Sequence, residues 1–142
     1  MNYTNLLNKH DHPKNWEYPP GFDYKSAQAK FAKFSNELKE AIDSSMKTET
    51  GSYIQDASFH SQIFLPLPDG GQTVIRFSNF GDMVTFSEDD VIPDAMTQIL
   101  RQLFEKYEYQ YMPESVLSEP YTGKNSGVTG ISTWWVRYFD WV

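Results

Sequence analysis

Two stretches of the chain place apolar residues at the three- and four-residue spacing of an amphipathic helix. The first follows Asp23, a residue suited to cap a helix, and the second follows the acidic run 88–90 with Pro93 in its first turn. The apolar positions are Tyr24, Ala27, Phe31, Phe34, Leu38, Ile42 and Met46 in the first stretch, and Ile92, Ala95, Met96, Ile99, Leu103, Phe104 and Tyr107 in the second. Each pattern predicts a helix with one buried face.

Between these helices the period changes to two, which is typical of half-buried strands. In SYIQDASFHSQIFL (52–65) the alternation directs Phe59 to the core and His60 to solvent. TVIRFSNF (73–80) and MVTFS (83–87) follow as two further strands, separated by Gly81-Asp82. A two-residue loop at this point predicts a tight hairpin in which Phe80 opposes Met83 and Phe77 opposes Phe86.

The chain ends on ISTWWVRYFDWV (131–142), whose alternate positions are apolar on both sides. This pattern favours a strand buried on both faces, at or near the centre of a sheet. The order helix, three strands, helix, strand predicts a single α+β domain over residues 1–142, with a mainly antiparallel sheet of about four strands. Residues 1–23 are polar and contain three prolines, so we expect an extended lead-in there.

Charge narrows the classes of partner. The net charge is −7, and residues 48–142 hold 13 Asp/Glu against 5 Lys/Arg. A negative surface repels phosphates and membrane headgroups and attracts basic partners, so neither nucleic acid nor membrane is an expected partner. No apolar stretch is long enough to span a membrane and no signal peptide is evident, which predicts a cytoplasmic protein.

Candidate catalytic or metal-binding chemistry is sparse. The chain has no cysteine, which excludes disulfides and thiolate sites. His10-Asp11-His12 has a metal-like composition, but a metal site needs three or four converging ligands on a firm scaffold. His60 has no serine and acid at a spacing that implies a triad. We therefore expect no metal, no cofactor and no enzymatic activity.

An acidic group at the start of the second helix is the strongest candidate for an interaction site; it consists of Glu88, Asp89, Asp90 and Asp94. Capping and the helix dipole account for one or two of its four carboxylates. Residues 87–119 hold 8 acids against 2 bases. We predict a docking surface for a basic partner, formed by Glu88, Asp89, Asp90, Asp94, Glu114, Glu119, Tyr111 and Tyr121.

The segments TVIRFSNFGDMVTFSEDD, YMPESVLSEPYTG and TWWVRYFDWV together resemble small bacterial immunity proteins of contact-dependent growth inhibition and related polymorphic toxin systems. The resemblance covers roughly residues 72–142 and implies a cytosolic protein that binds one cognate toxin domain and blocks its active site. It assigns no individual binding residue. An alternative interpretation is a small enzyme or ligand-binding domain whose pocket is lined by aromatics such as Trp134, Trp135 and Tyr111.

Overall fold

A five-stranded sheet lies at the centre of the computed structural model, which describes residues 2–11, 15, 17–50, 58–86, 92–124 and 131–140. The strands follow one another in chain order across the sheet: β1 Lys47–Thr50, β2 Phe59–Pro66, β3 Gln72–Ser78, β4 Met83–Phe86 and β5 Gln110–Tyr111. The first four pair antiparallel, and β5 pairs parallel with β4. The predicted α+β class with a mainly antiparallel sheet is confirmed. No helix in these described ranges has the length and apolar character of a membrane span.

Two long helices, α2 Tyr24–Ala41 and α3 Asp94–Lys106, pack against one face of the sheet. The predicted cap is present, because the Asp23 carboxylate accepts a hydrogen bond from the Ser26 backbone N–H at 3.2 Å. We call the buried cluster between helices and sheet the first core; it contains Phe31, Phe34, Leu38, Met46, Ile63, Leu65, Ile75, Phe77, Val84, Phe86, Ile92, Leu100, Leu103, Phe104 and Tyr109. The Phe34 ring joins its layers, since its centroid lies 5.4 Å from that of Phe104 and 5.3 Å from that of Phe77.

Both helices are shorter than their apolar patterns predict. The helix α2 ends at Ala41, and the Asp43 carboxylate then accepts hydrogen bonds from the backbone N–H and the hydroxyl of Ser45 at 2.9 and 2.6 Å. This Asx-type turn leads into β1, a strand that the sequence did not indicate. Met46 is buried, but it lies in the connection and not in the helix.

The hairpin between β3 and β4 has the predicted turn but a different register. Gly81 and Asp82 both have positive φ, 58° and 54°, and the Met83 N–H donates to the Phe80 carbonyl at 3.1 Å. This is the geometry of a two-residue hairpin turn. The ladder, however, pairs Phe77 with Val84, so the predicted pair of Phe77 with Phe86 is wrong.

The register differs because two residues before the turn are held elsewhere. The Asn79 N–H donates to the Ser58 carbonyl at 2.9 Å, on the β2 side of β3. The Phe80 N–H donates to the Ser78 hydroxyl at 3.1 Å. The connection between the paired strands therefore runs from residue 79 to residue 82.

His60 is buried, which corrects the prediction that it faces solvent. The ladder between β2 and β3 shifts register between Phe59 and Ser61, so His60 is the extra residue of a bulge. The bulge turns its ring into the first core, where its centroid lies 6.4 Å from that of Phe31 and 6.2 Å from that of Phe77. Phe59 is displaced to the opposite face, where the Arg76 guanidinium lies 4.5 Å from its ring centroid.

The opposite face of the sheet is partly covered by three short elements near the chain ends. They are α1 Tyr3–Lys9, α4 Glu114–Leu117 and a C-terminal π-helix Val136–Asp140. We call the cluster beneath them the second core; it contains Leu7, Phe80, Met83, Met112, Leu117, Trp134, Tyr138 and Phe139. The second core uses the alternate positions of β4, since Met83 belongs to it while Val84 belongs to the first core.

The predicted extended lead-in and terminal strand are both wrong. Asn2 caps α1 through its side-chain oxygen, which accepts from the Asn5 N–H at 3.1 Å. At the other end, Trp134 and Tyr138 stack at 5.8 Å, as residues four apart do on a helix. An apolar pattern on both sides of a segment suits a buried helix as well as a central strand, so periodicity alone could not separate the two. Trp141 and Val142 lie outside the described residues.

Acidification tests the burial of His60. Burial first, and then the positive charge of Lys30, lower the pKa of His60 from 6.5 to about 4. The unfolded chain therefore binds more protons between these values, so the stability due to neutral His60 is present above pH 6.5 and is lost as the pH falls towards 4. Urea denaturation should show the free energy of unfolding decreasing by about 2 kcal/mol from about pH 7 to about pH 5. His60→Gln should lose most of that decrease; an equal decrease in both proteins would mean that His60 is not its source.

Truncation of Trp134 tests the second core. Trp134 is 4% exposed, so Trp134→Ala should lower the free energy of unfolding by about 3–5 kcal/mol. Val136 is only half-buried, so Val136→Ala should cost about 1 kcal/mol. Tyr18, which is 55% exposed, provides the control: Tyr18→Ala should change stability by less than about 1 kcal/mol. Thermal and urea unfolding measure all three. A Trp134→Ala protein as stable as the parent would contradict the packing described here.

Candidate functional site

A groove of about 1000 Å³ opens between α1 and α4 on the second-core side of the protein. We call it the α1/α4 groove; its described lining residues are Asn2, Tyr3, Thr4, Ser115, Val116, Glu119, Pro120, Thr122 and Trp134. Four of these side chains are apolar or aromatic, four are neutral and polar, and Glu119 alone among them is charged. The groove therefore combines an apolar floor with a polar rim that carries one carboxylate.

Two backbone hydrogen bonds hold the segment that carries Glu119 against the segment that carries Trp134. The Trp134 N–H donates to the Glu119 carbonyl at 3.3 Å, and the Tyr121 N–H donates to the Ser132 carbonyl at 3.1 Å. The Tyr121 ring also lies 4.7 Å from the Trp134 ring in a T-shaped contact. The backbones of Glu119 and Trp134 are thus adjacent, although the two residues are far apart in the sequence.

A buried ion pair connects the segments that flank the α1/α4 groove, although neither of its residues is among the described lining residues. Arg137 Nε donates to Asp11 Oδ1 at 2.9 Å, and both side chains are fully enclosed. Asp11 Oδ2 accepts two further bonds, from the Tyr121 hydroxyl at 2.7 Å and from the Lys124 N–H at 2.6 Å. Arg137 also donates to the Asn15 carbonyl at 2.9 Å. We call Asp11, Arg137 and these partners the clasp.

The charge state of Asp11 follows from these bonds. Burial alone would raise the pKa of Asp11, but the hydrogen bonds from Lys124, Tyr121 and Arg137 outweigh burial and lower the pKa below its ordinary value. Asp11 is therefore ionised at neutral pH and neutralises Arg137. The Arg137 guanidinium also lies 4.6 Å from the Phe80 ring centroid, so apolar contacts surround the ion pair.

The neighbouring Tyr138 completes the attachment of α1. Its hydroxyl donates to the Leu7 carbonyl. Burial first, and then the charge of Asp11, raise the pKa of Tyr138, so the hydroxyl keeps its proton and remains a donor. Arg76 anchors the π-helix from the sheet, because its Nη1 donates to the Phe139 carbonyl at 2.9 Å.

The structure brings together only part of the predicted docking surface. Glu119 lines the α1/α4 groove, Glu114 begins α4, and Tyr121 packs against the second core. Tyr111 packs against the first core instead, stacked 5.0 Å from Phe86, and Asp94 begins α3. The three remaining predicted residues, Glu88, Asp89 and Asp90, lie outside the described residues.

Sequence reasoning missed both charged members of the clasp. Asp11 was considered only as part of a metal-like triplet. Among the described residues, no group of three or more His, Asp or Glu side chains is placed to hold a metal ion. Arg137 lies within the stretch 131–142, for which the pattern predicts a strand. The available signal was a lone cation within the most apolar stretch of the chain, because such a residue needs a buried partner.

The aromatic residues of the alternative interpretation do not meet around a common pocket. Tyr111 packs against the first core, whereas Trp134 and Trp135 belong to or border the second core. Trp134 is covered by Tyr121 and Tyr138, and Trp135 contacts Phe139 at 5.8 Å. Tyr111 and Trp135 therefore act mainly in packing, as does Trp134, whose small exposed fraction of 4% borders the α1/α4 groove.

Comparison with protein-family models, with curated proteins and with solved structures yields no significant match to this chain. Function is therefore argued from the α1/α4 groove and the charges around it.

Removal of one member of the clasp tests its role. Asp11→Asn leaves Arg137 buried without a counter-charge, so the free energy of unfolding should fall by about 3–5 kcal/mol in urea denaturation. Adding Arg137→Met removes the second charge as well and should recover part of that loss. Glu37→Gln is the control, because Glu37 pairs with Lys106 at 2.5 Å on the surface and its loss should change little. If Asp11→Asn and Glu37→Gln unfold alike, the clasp does not stabilise the fold.

Proposed function

We propose that this chain is an immunity protein of a polymorphic toxin system, which binds a basic toxin domain in the cytoplasm and covers its active site. The observation that carries the proposal is the α1/α4 groove: Glu119 is the one charged residue among its described lining residues, and six of these nine residues belong to the acidic part of the chain, residues 48–142. A toxin that acts on nucleic acid needs a positive active site to bind phosphate, so an acidic protein surface is complementary to it. The same charge disfavours nucleic acid and membrane as direct partners.

The shape of the groove supports a protein partner. Its floor carries Tyr3, Val116 and Trp134, and aromatic side chains are enriched in the centres of protein interfaces. Its rim carries hydroxyl, amide and carboxylate groups that suit the polar edge of an interface. Apolar contact then provides affinity, while the acidic excess of residues 87–119 accelerates encounter.

The clasp supports tight binding because it fixes the groove before the partner arrives. Asp11 and Arg137 connect the end of α1 to the π-helix, and Tyr121 connects both to the segment after α4. A preformed surface loses less conformational entropy on binding than a flexible one.

Co-expression tests the proposed function. The protein encoded by the reading frame next to this chain serves as the candidate toxin; it is produced in cells with and without the chain, and growth is measured. Growth should stop when the neighbouring domain is expressed alone and should be restored by the chain, and the two proteins should co-elute after mixing. A neighbouring domain whose toxicity is unaffected, and which does not bind, would overturn the proposal.

The acidic group before α3 should affect association more than stability. Asp89→Asn with Asp90→Asn keeps side-chain size, and the N-cap of α3 is Pro93 with no side-chain hydrogen bond, so stability should change by less than about 1 kcal/mol. Association with the basic domain should slow, and its dependence on salt should become shallower, because steering charge is lost. Stopped-flow measurement at low and high ionic strength gives both quantities.

A matched control separates local from overall charge. Glu40→Gln with Asp69→Asn removes two exposed acids outside residues 87–119 and changes the net charge by the same amount. It should slow association less than the first double variant. Equal slowing by both would mean that only the total charge matters and that residues 87–119 are not the docking surface.

A further inference from the structure

We propose that the α1/α4 groove receives a single lysine or arginine side chain of the partner, with its aliphatic stem on the apolar floor and its cationic head at Glu119. The inference rests on the proposed function for the identity of the partner, and it adds the chemical group that the groove recognises. It is argued from the lining of the groove and from the bonds that fix that lining.

The floor suits an aliphatic stem. Tyr3, Val116 and Trp134 line the groove together with Pro120, and none of these side chains carries a charge. Lysine and arginine bury their methylene stems along apolar surfaces while the charged head reaches polar surroundings. An uncharged apolar side chain would fill the floor but would leave the carboxylate at the rim without a partner.

The position of Glu119 selects a cation as the head group. Among the described lining residues it is the only charged one, and its side chain is exposed at the rim. The hydroxyls of Thr4, Ser115 and Thr122 line the same groove and offer acceptor oxygens. Lysine has three donors and arginine five, with no acceptor, so these groups complement both. An anionic group, including a phosphate, would meet Glu119 unfavourably.

The groove is fixed in the geometry that this contact needs. The Trp134 N–H donates to the Glu119 carbonyl at 3.3 Å, so the backbones of these two residues are held together. The Trp134 ring is held by Tyr121 and Tyr138, at 4.7 and 5.8 Å between ring centroids. The stem of the incoming side chain therefore meets a floor that is already formed, and the backbone that carries Glu119 is held beside that floor.

A titration followed by amide and indole NMR tests the inference without the partner. The probes are N-acetyl-arginine methylamide, N-acetyl-lysine methylamide and the uncharged isostere N-acetyl-citrulline methylamide, added to millimolar concentration. The two cations should give saturable shifts at the Trp134 indole and at the amides of Ser115 and Thr122. Citrulline should bind about threefold or more weakly, the preference that one exposed charge pair supplies.

Two variants locate the preference. Glu119→Gln should abolish the difference between arginine and citrulline, whereas Glu105→Gln, an exposed acid on α3 outside the groove lining, should preserve it. The inference is overturned if citrulline binds as well as arginine, if the groove resonances do not shift, or if Glu119→Gln keeps the preference.

The co-expression experiment separates this inference from the proposed function. Restored growth combined with a failed titration would remove the cation subsite and leave the immunity function standing. A successful titration without restored growth would keep the cation subsite and remove the toxin as its source.

Discussion

The ion pair between Asp11 and Arg137 connects residues 126 positions apart and decides the arrangement of the second core. Removing two charges from water is unfavourable, and attraction between them compensates only when the remaining donors and acceptors are also bonded. The clasp meets this condition. Tyr121 and Lys124 donate hydrogen bonds to the Asp11 carboxylate, and the Asn15 carbonyl accepts one from Arg137. Three segments contribute, namely residues 11–15, residues 121–124 and the π-helix, and removal of either Asp11 or Arg137 would leave the other as an unpaired buried charge.

The two cores consequently have different characters. The first core consists of two amphipathic helices on an antiparallel sheet and is held by contacts among its aromatic rings, such as Phe34 with Phe77 and Phe104. The second core consists of elements of four to seven residues that are too short to be stable alone. It therefore depends on specific polar bonds, and it is this dependent part of the molecule that forms the α1/α4 groove. The first core serves as its support.

This difference explains how much could be predicted from the sequence. The helices α2 and α3 and the Asp23 cap follow from local periodicity and from one side chain. His60 could not be placed, because a bulge between Phe59 and Ser61 reverses the alternation on which its assignment relied. The sequence predicts a strand in place of the C-terminal π-helix, because a run that is apolar at nearly every position fits a strand buried on both faces as well as a buried helix.

The candidate site was only partly predictable for a related reason. Acidic residues are visible in a sequence, so the predicted surface includes Glu119, which lines the groove, and Glu114, which begins α4. Tyr111 was grouped with them by proximity along the chain, but β5 places it on the first-core side of the sheet. The floor of the groove requires Tyr3 and Trp134 to meet across almost the whole chain, and no local pattern encodes that contact.

Charge and shape divide the task of recognition between them in the proposed complex. A net charge of −7 attracts any basic protein and raises the association rate, but the attraction is long-range, weakened by salt and indifferent to the identity of the partner. Discrimination therefore has to come from a contact that depends on position to within the size of one side chain. The α1/α4 groove supplies such a contact, because the backbone bond from Trp134 to Glu119 holds the segment that carries the carboxylate beside the floor. A partner that presents a cation elsewhere would gain the attraction without the fit, and would dissociate quickly.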